Sequence, residues 1–221
     1  MHLFQATVSS QGVLRIYEAP DIMNISMWSL TQDIVVFRGR CSCLTWSTQR
    51  LTKPLIAVGS DDTHSAAKRV AVKWQLLELP ALKVTDPVTD IAFAPSAGRS
   101  YHLLAVGSKD ICIFKMSDKD KHTDMDGDFL ERTAPTNYEV TQVDVLENPL
   151  HAPIQMWRLS WNITGTILTG ASSDGYVRLW KGNIWSPMAT IRSTDDYKGS
   201  TDDPQTVTSI CSLTKESHIY Y

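Results

Sequence analysis

The fold is decided by residues 157–180, which read WRLSWNITGTILTGASSDGYVRLW. The stretch opens and closes with alternating segments, Trp157–Trp161 and Tyr176–Trp180. Between them lie the mostly small and aliphatic run Ile167–Ser172 and the dipeptide Asp174-Gly175, which favours a tight turn with positive φ. Alternation with period two is typical of half-buried strands. The stretch therefore predicts three antiparallel strands joined by short turns.

The first of these strands carries two tryptophans on one predicted face. Alternation places Trp157, Leu159 and Trp161 together and puts Arg158 on the opposite face. We expect the tryptophans to pack between neighbouring sheets. If the last sheet instead packs on a partner, the same residues form the interface, through aromatic anchors and paired strand edges. The candidate partner-interface residues are Trp157, Arg158, Trp161 and Trp180.

The same pattern of strands and turns recurs along the chain. The equivalent segments are 44–46, 55–61 and 70–74 in one copy, 91–93, 103–110 and 111–114 in another, and 6–12 and 13–17 in a partial copy. The third strand of each copy ends in an aromatic residue: Tyr17, Trp74, Phe114 or Trp180. Fourth strands are expected near 28–30, 76–79, 140–145 and 188–191. This repetition predicts an all-β chain, a partial WD-repeat β-propeller of about three and a half four-stranded blades. An irregular β-sandwich is the alternative.

The repeats divide the chain into five parts. These are a partial blade (1–30), a blade (31–84), a blade with an inserted acidic loop (85–149), the last blade (150–192) and a disordered tail (193–221). The tail is rich in Ser, Thr and Asp, which is typical of solvated segments, and it contains one strand-like stretch at Val207–Leu213. A closed ring needs at least four blades. We therefore expect a fragment, or a chain that another protein completes.

Three aspartates occupy the same turn position in successive copies. They are Asp61, Asp110 and Asp174, the last followed by Gly175. A catalytic group would be expected in one unusual blade, whereas recurrence indicates a structural role. We interpret these residues as turn residues whose carboxylates accept N–H hydrogen bonds from the turn and the next strand.

Composition and motif content argue against several classes of function. The net charge of −3 and a pI near 6.0 provide no strongly basic surface, so nucleic acid is not an expected partner. No apolar run is long enough to span a membrane, and no secretory signal pattern opens the chain. The acidic stretch at 118–131 lacks the first and last ligands of a calcium loop and is interpreted as solvated.

The cysteines and histidines show no metal-binding spacing. Cys41 and Cys43 are two residues apart, so alternation places both on one face of a strand. We expect Cys41, Cys43 and Cys112 to be buried reduced thiols, with Cys211 in the tail. No catalytic, metal-binding or cofactor-binding residue is predicted, and the chain is not expected to be an enzyme.

Four segments resemble the Seh-type (Sec-thirteen homologue) WD-repeat nucleoporins. They are GVLRIYEAPD at 12–21, IAVGSDD at 56–62, TDPVTDIAFAP at 85–95 and WRLSWNITGT at 157–166. The resemblance runs collinearly over roughly residues 12–192. It is to the C-terminal part of that family only.

The resemblance implies an open six-bladed propeller whose ring is completed by a blade that an α-solenoid scaffold nucleoporin donates in trans. It implies a structural role in the Y-shaped subcomplex of the nuclear pore, which serves protein and mRNA transport. It also implies a role in the GATOR coat that regulates TOR signalling at the cytoplasmic face of the lysosome. Related coat proteins would be further partners.

Two other interpretations remain open. A WD-repeat adaptor would bind peptides through the loops around the propeller axis. A truncated isoform would have no independent function because its blade faces are exposed. A propeller enzyme is disfavoured, because it would need titratable residues at the axis, where the strands of this chain are small and apolar.

Overall fold

The structure, a computed structural model, describes residues 3–48, 55–61, 69–72, 75–78, 84, 86–96, 98–118, 138–147, 154–182 and 185–192. These residues form β-strands and one short 3-10 helix at Ile25–Met27. The strands are β1 (Leu3–Val8), β2 (Val13–Ala19), β3 (Ser29–Val35), β4 (Cys41–Trp46), β5 (Leu55–Ser60), β6 (Arg69–Val72), β7 (Gln75–Glu78), β8 (Asp90–Phe93), β9 (His102–Gly107), β10 (Ile111–Asp118), β11 (Tyr138–Leu146), β12 (Met156–Trp161), β13 (Ile167–Ser172), β14 (Tyr176–Lys181) and β15 (Ser186–Arg192).

The strands form four antiparallel sheets that follow the order of the chain. The first sheet contains β1–β3, the second β4–β7, the third β8–β11 and the last β12–β15, and strands adjacent in sequence pair within each sheet. The first strand of the second sheet lies against that of the third, which in turn lies against that of the last. This arrangement confirms the all-β prediction of an open, partial β-propeller.

Three apolar layers hold the four sheets together. The layer between the first and second sheets contains Leu14, Ile16, Val36, Phe37, Ile56 and Val58. The layer between the second and third contains Leu55, Val88, Ile91, Phe93, Leu104 and Phe114, among others. The layer between the third and last contains Ile111, Ile113, Met156, Leu159, Leu168 and Trp180, among others. Each inner sheet therefore has apolar side chains on both faces, as stacked sheets require.

Polar contacts between first strands add to this packing. The Ser42 hydroxyl donates to the carbonyl of Val88, two residues before β8 of the third sheet, at 2.6 Å. The hydroxyl of Thr89, at the equivalent position one sheet further on, donates to the carbonyl of Met156 in the last sheet. Hydrogen bonds of this kind fix the register between successive sheets.

A β-bulge at the start of β4 reverses one sequence-based expectation. The pairing with β5 shifts between Cys41 and Cys43, so Ser42 is an extra residue in that strand. Cys41 packs against the layer shared with the first sheet, whereas Cys43 lies in the layer shared with the third. The prediction that both cysteines share one face is therefore wrong, because the extra residue breaks the alternation.

The observed strands refine the expected division of the chain. β3 extends to Val35 and pairs with β2, so the first sheet continues five residues beyond the expected boundary at residue 30. Trp74, Cys211, residues 119–137 of the acidic loop and the tail at 193–221 lie outside the described residues. Among the residues that are described, no helix has the length and apolar character needed to cross a membrane.

Candidate interaction surface

The last sheet presents one face to the third sheet and turns the other away from it. We call the second face the open face. Strand register and the bulge in β12 assign it Trp157, Arg158, Ser160, Ile167, Thr169, Ala171, Val177, Leu179, Lys181, Ala189 and Ile191. Most of these residues are small or aliphatic and several are only half-buried. An apolar sheet face of this kind is suited to packing against another sheet.

Trp157 lies on this surface because of a second bulge. The pairing of β12 with β13 shifts between Met156 and Arg158, which makes Trp157 the extra residue. Its side chain is 53% exposed, whereas Leu159 is buried against the third sheet. The expectation that Trp157 shares a face with Leu159 and Trp161 is therefore wrong, and the bulge is the cause.

Two of the four candidate interface residues pack inside the molecule instead. Trp180 is 5% exposed and belongs to the layer between the third and last sheets. Trp161 packs against the same layer, and its indole N–H donates to the carbonyl of Ala92 at 3.1 Å. Its ring also meets Trp185 edge to face at 5.5 Å. The structure thus brings Trp157 and Arg158 to the open face and keeps Trp161 and Trp180 away from it.

Arg158 lies at the boundary between the open face and the third sheet. Its side chain is 80% exposed, and its guanidinium is 3.9 Å from the carboxylate of Asp90. The other carboxylate oxygen of Asp90 accepts a hydrogen bond from the backbone N–H of Leu159 at 2.8 Å. Asp90 therefore joins the two sheets, while most of the Arg158 side chain stays available to a partner.

A second ionic cluster stabilises the β13–β14 turn. The Arg178 guanidinium contacts the Asp174 carboxylate at 2.6 Å, and both side chains are almost fully buried. Burial by itself would raise the pKa of Asp174, but hydrogen bonds from Arg178, Ser172 and the Tyr176 backbone outweigh it and lower that pKa to about 2. The carboxylate therefore takes part in several contacts within this turn.

The other predicted turn residues differ from Asp174 in their contacts. Asp61 forms an exposed ion pair with Arg40 at 3.3 Å. The backbone carbonyl of Asp110 accepts hydrogen bonds from the backbone and the hydroxyl of Ser108. Gly175 has a φ of +77°, which is the left-handed conformation expected for this turn.

The described residues offer little that could act as a nucleophile or hold a metal. Burial raises the pKa of Cys41 and of Cys43 to about 11, so both thiols are protonated near neutral pH. Cys112 is a third free, half-buried thiol. Within the described ranges, no group of three or more His, Cys, Asp or Glu side chains is arranged to bind a metal ion.

Sequence reasoning missed one group of exposed apolar residues and one further exposed methionine. One group lies in and beside the β2–β3 connection and consists of Ile22, Met23, Ile25, Met27 and Leu30. The other is Met188 on β15, 48% exposed, beside the aliphatic residues of the open face. The register of β14 with β15 could have identified Met188, because it pairs Val177 with Ile191 and Leu179 with Ala189 on the open face.

Comparison with known proteins identifies relatives of this chain. No family model matches the chain. The chain is 44% identical over 213 residues to "Nucleoporin SEH1" of Bos taurus and to that of Homo sapiens, covering 90% of this chain and 55% of each relative. It is 41% identical over 206 residues to "Nucleoporin SEH1" of Danio rerio, covering 87% of this chain and 54% of that protein. The chain spans about half the length of the curated relatives that it matches. Over the part that it spans, the chain is therefore similar in sequence to the Seh-type nucleoporins.

Proposed function

We propose that this chain is a non-enzymatic scaffold component of the nuclear pore and that it binds a helical-repeat partner through the open face of its last sheet. The relatives are named as nucleoporins, which supports the nuclear-pore role. The open face of the last sheet is the surface that we propose for this binding. An apolar sheet face with an exposed tryptophan beside it can receive a further sheet or blade from another protein.

The observation that carries the proposal is the position of Trp157. The equivalent bulge residue of the second sheet, Ser42, reaches the third sheet through its hydrogen bond to Val88. Trp157 occupies the same place relative to the sheet that would follow the last one, and it is 53% exposed. A partner blade on the open face would bury this side chain along the β12 edge of the contact, where it can act as an aromatic anchor.

The chemistry of the open face fits a donated blade better than a peptide. The face consists mostly of small and aliphatic residues spread over four strands, with two cations, Arg158 and Lys181, at its margins. A flat apolar surface favours packing against another sheet. A short peptide would instead require a concave pocket with polar groups that fix its orientation.

The same surface would serve a second assembly. We extend the proposal to the GATOR coat that regulates TOR signalling at the lysosome, on the basis of the family resemblance. Because one open face can hold one blade at a time, the two assemblies would use separate copies of this chain.

Co-expression tests the proposal. The 221-residue chain is produced with the α-solenoid nucleoporin of the pore's Y-shaped subcomplex, and the mixture is analysed by size exclusion with light scattering. We expect a one-to-one complex. Trp157→Ala should weaken binding by about 30-fold, the effect of losing an aromatic anchor that the partner buries.

Ile163→Ala is the matched control for that variant. Ile163 is a large apolar residue of the same sheet and is 90% exposed, but it lies in the β12–β13 turn and not on the open face. Its substitution should leave the affinity within about twofold. Equal losses for the two variants, or no complex with the unmodified chain, would contradict the proposal.

A further inference from the structure

The connection between β2 and β3, residues 20–28, carries a cluster of exposed apolar side chains. We call this cluster the apolar patch; with one residue of β3 included, it consists of Ile22, Met23, Ile25, Met27 and Leu30. Met23 is 91% exposed and Ile25 is 76% exposed. Among the described residues, five of the eleven exposed large apolar side chains lie within positions 22–30. Single exposed apolar residues are ordinary on a protein surface, whereas a cluster of them indicates an interaction site.

The polar groups of this connection bond to one another. The carboxylate of Asp21 accepts the backbone N–H of Met23 at 2.9 Å, and the side-chain oxygen of Asn24 accepts that of Ser26 at 3.2 Å. The indole N–H of Trp28 donates to the carbonyl of Asp21 at 3.0 Å. The polar groups thus order the backbone while the apolar side chains face solvent, so a partner would have little backbone left to order.

These internal hydrogen bonds favour one kind of partner. Four backbone N–H groups of the connection already donate within it, namely those of Met23, Ser26, Met27 and Trp28. An extended peptide binds largely through backbone hydrogen bonds, and these donors are not available to it. A helix satisfies its own backbone and presents side chains alone. The apolar patch is therefore suited to the apolar face of an amphipathic helix.

The charges around the apolar patch are all of one sign. Residues 16–37 contain three charged side chains, Glu18, Asp21 and Asp33, and no Lys or Arg. Asp33 is paired with Arg15, but none of the ion pairs among the described residues involves Asp21. A carboxylate beside an apolar cluster favours an approaching surface that carries cations.

We propose that the apolar patch binds the apolar face of a basic amphipathic helix from another protein, with Lys or Arg of that helix beside Asp21. Met23 and Met27 suit this role, because unbranched methionine side chains adapt to different apolar surfaces. The acidic charges disfavour other occupants. A second copy would bring two acidic surfaces together, and a membrane rich in phosphatidylserine is itself anionic. This inference concerns the β2–β3 connection and rests neither on the open face nor on the proposed function.

A synthetic helix tests the proposal. The probe is a fluorescently labelled peptide of about 14 residues, with leucine on one helical face and lysine on the other. A second peptide has glutamate in place of every lysine. Each is titrated with the 221-residue chain and binding is followed by fluorescence anisotropy. The lysine peptide should bind about tenfold more tightly than the glutamate peptide. Equal affinities, or no binding of the lysine peptide, would overturn the proposal.

Substitutions in the chain locate the binding site. The double variant Met23→Ser/Ile25→Ser removes two highly exposed apolar side chains and should weaken binding of the lysine peptide by about tenfold. Ile163→Ser is the matched control, because Ile163 is 90% exposed but lies in the β12–β13 turn. It should leave the affinity within about twofold. Equal losses would mean that the peptide binds elsewhere on the chain, which contradicts the assignment to the apolar patch.

Asp21→Asn tests the charge separately from the shape of the connection. Asparagine keeps an oxygen that can accept the Met23 N–H, so the turn is retained while the negative charge is lost. The affinity for the lysine peptide should fall by about threefold and should become less sensitive to added salt. Unchanged affinity and salt dependence would mean that the patch does not select a basic helix.

Two further measurements distinguish the other occupants. Light scattering of the unmodified chain reports self-association, and cosedimentation reports binding to vesicles of phosphatidylcholine, alone or in equal mixture with phosphatidylserine. Self-association that Met23→Ser/Ile25→Ser abolishes would assign the apolar patch to a second copy. Vesicle binding that the same variant abolishes would assign it to a lipid surface. Either result would overturn the proposal, whereas a monomer that ignores both vesicles supports it.

Discussion

The second sheet and the last sheet have the same strand order and the same early bulge, but among the described residues only the second is covered on both faces. At equivalent positions toward the following sheet, Leu55 is fully buried whereas Ile167 is half-buried. Cys43 is 8% exposed, whereas the side chain of Arg158 is 80% exposed. The strand pattern thus specifies a blade, and the residues at these positions show whether another sheet lies against it.

One equivalent position carries glycine where a sheet face is covered and alanine on the open face. A Cβ atom on Gly59 would lie 2.6 Å from the sulfur of Cys43 and 2.7 Å from a methyl carbon of Val88. A Cβ on Gly107 would lie 3.2 Å from Leu159 in the last sheet. The equivalent residue of the last sheet is Ala171, which carries the methyl group that Gly59 and Gly107 lack.

The largest effect is expected from removing a side chain on the covered face. Leu55→Ala deletes a fully buried side chain between the second and third sheets and should lower the free energy of unfolding by about 3 kcal/mol. Ile167→Ala makes the matched change on the open face. It should cost about 1 kcal/mol, because part of that side chain already contacts water.

Chemical denaturation of both variants measures this difference. The denaturant dependence of the unfolding free energy should be unchanged, so that the shift in midpoint reports stability alone. Similar losses for the two variants would mean that the open face is covered in the isolated chain. That result would contradict the difference in burial between the two sheets.

A smaller effect is expected at the turns, where the last sheet is the better stabilised of the two. Asp174 has a pKa lowered to about 2. A shift of this size corresponds to about 2 kcal/mol of stability. Because the folded pKa is below the unfolded one, this contribution is complete above about pH 4 and is lost as the pH falls toward 2.

Thermal unfolding of Asp174→Asn between pH 2 and pH 6 tests this sign. The variant should be less stable than the unmodified chain near pH 6, and the difference should shrink as the solution becomes more acidic. Asp61→Asn, in the exposed ion pair with Arg40, is the control and should cost less than about 1 kcal/mol. A pH-independent difference at Asp174 would show that its carboxylate is not the stabilising group.

Much of this fold could be predicted from local sequence. Period-two alternation located strands in every blade, and recurrence predicted their grouping into sheets. The Asp174-Gly175 dipeptide predicted a turn with positive φ, and the structure has it. These features depend on neighbouring residues only, which is why sequence reasoning found them.

The candidate interface was harder to predict because it depends on bulges. A single extra residue at Ser42 or Trp157 changes the face of every residue on one side of it, and neither position carries a glycine or proline to indicate this. Burial of Trp161 and Trp180 also depends on the third sheet, which packs against them through residues far away in sequence. Pairing register between distant segments therefore decided which tryptophan is exposed.

The smallest effect expected is that of a single added methyl group at the close approach of two sheets. Gly59→Ala forces Val88 or Cys43 to move, since both would lie closer than 3.0 Å to the new carbon, and should cost about 1 to 2 kcal/mol. Ala171→Val adds volume at the equivalent position of the open face and should change stability by less than about 0.5 kcal/mol. Thermal unfolding of both variants compares the two positions directly. If Ala171→Val were also to destabilise the chain by more than 1 kcal/mol, some part of the protein would have to lie against the open face. The proposed partner blade would then have to displace that part before it could bind.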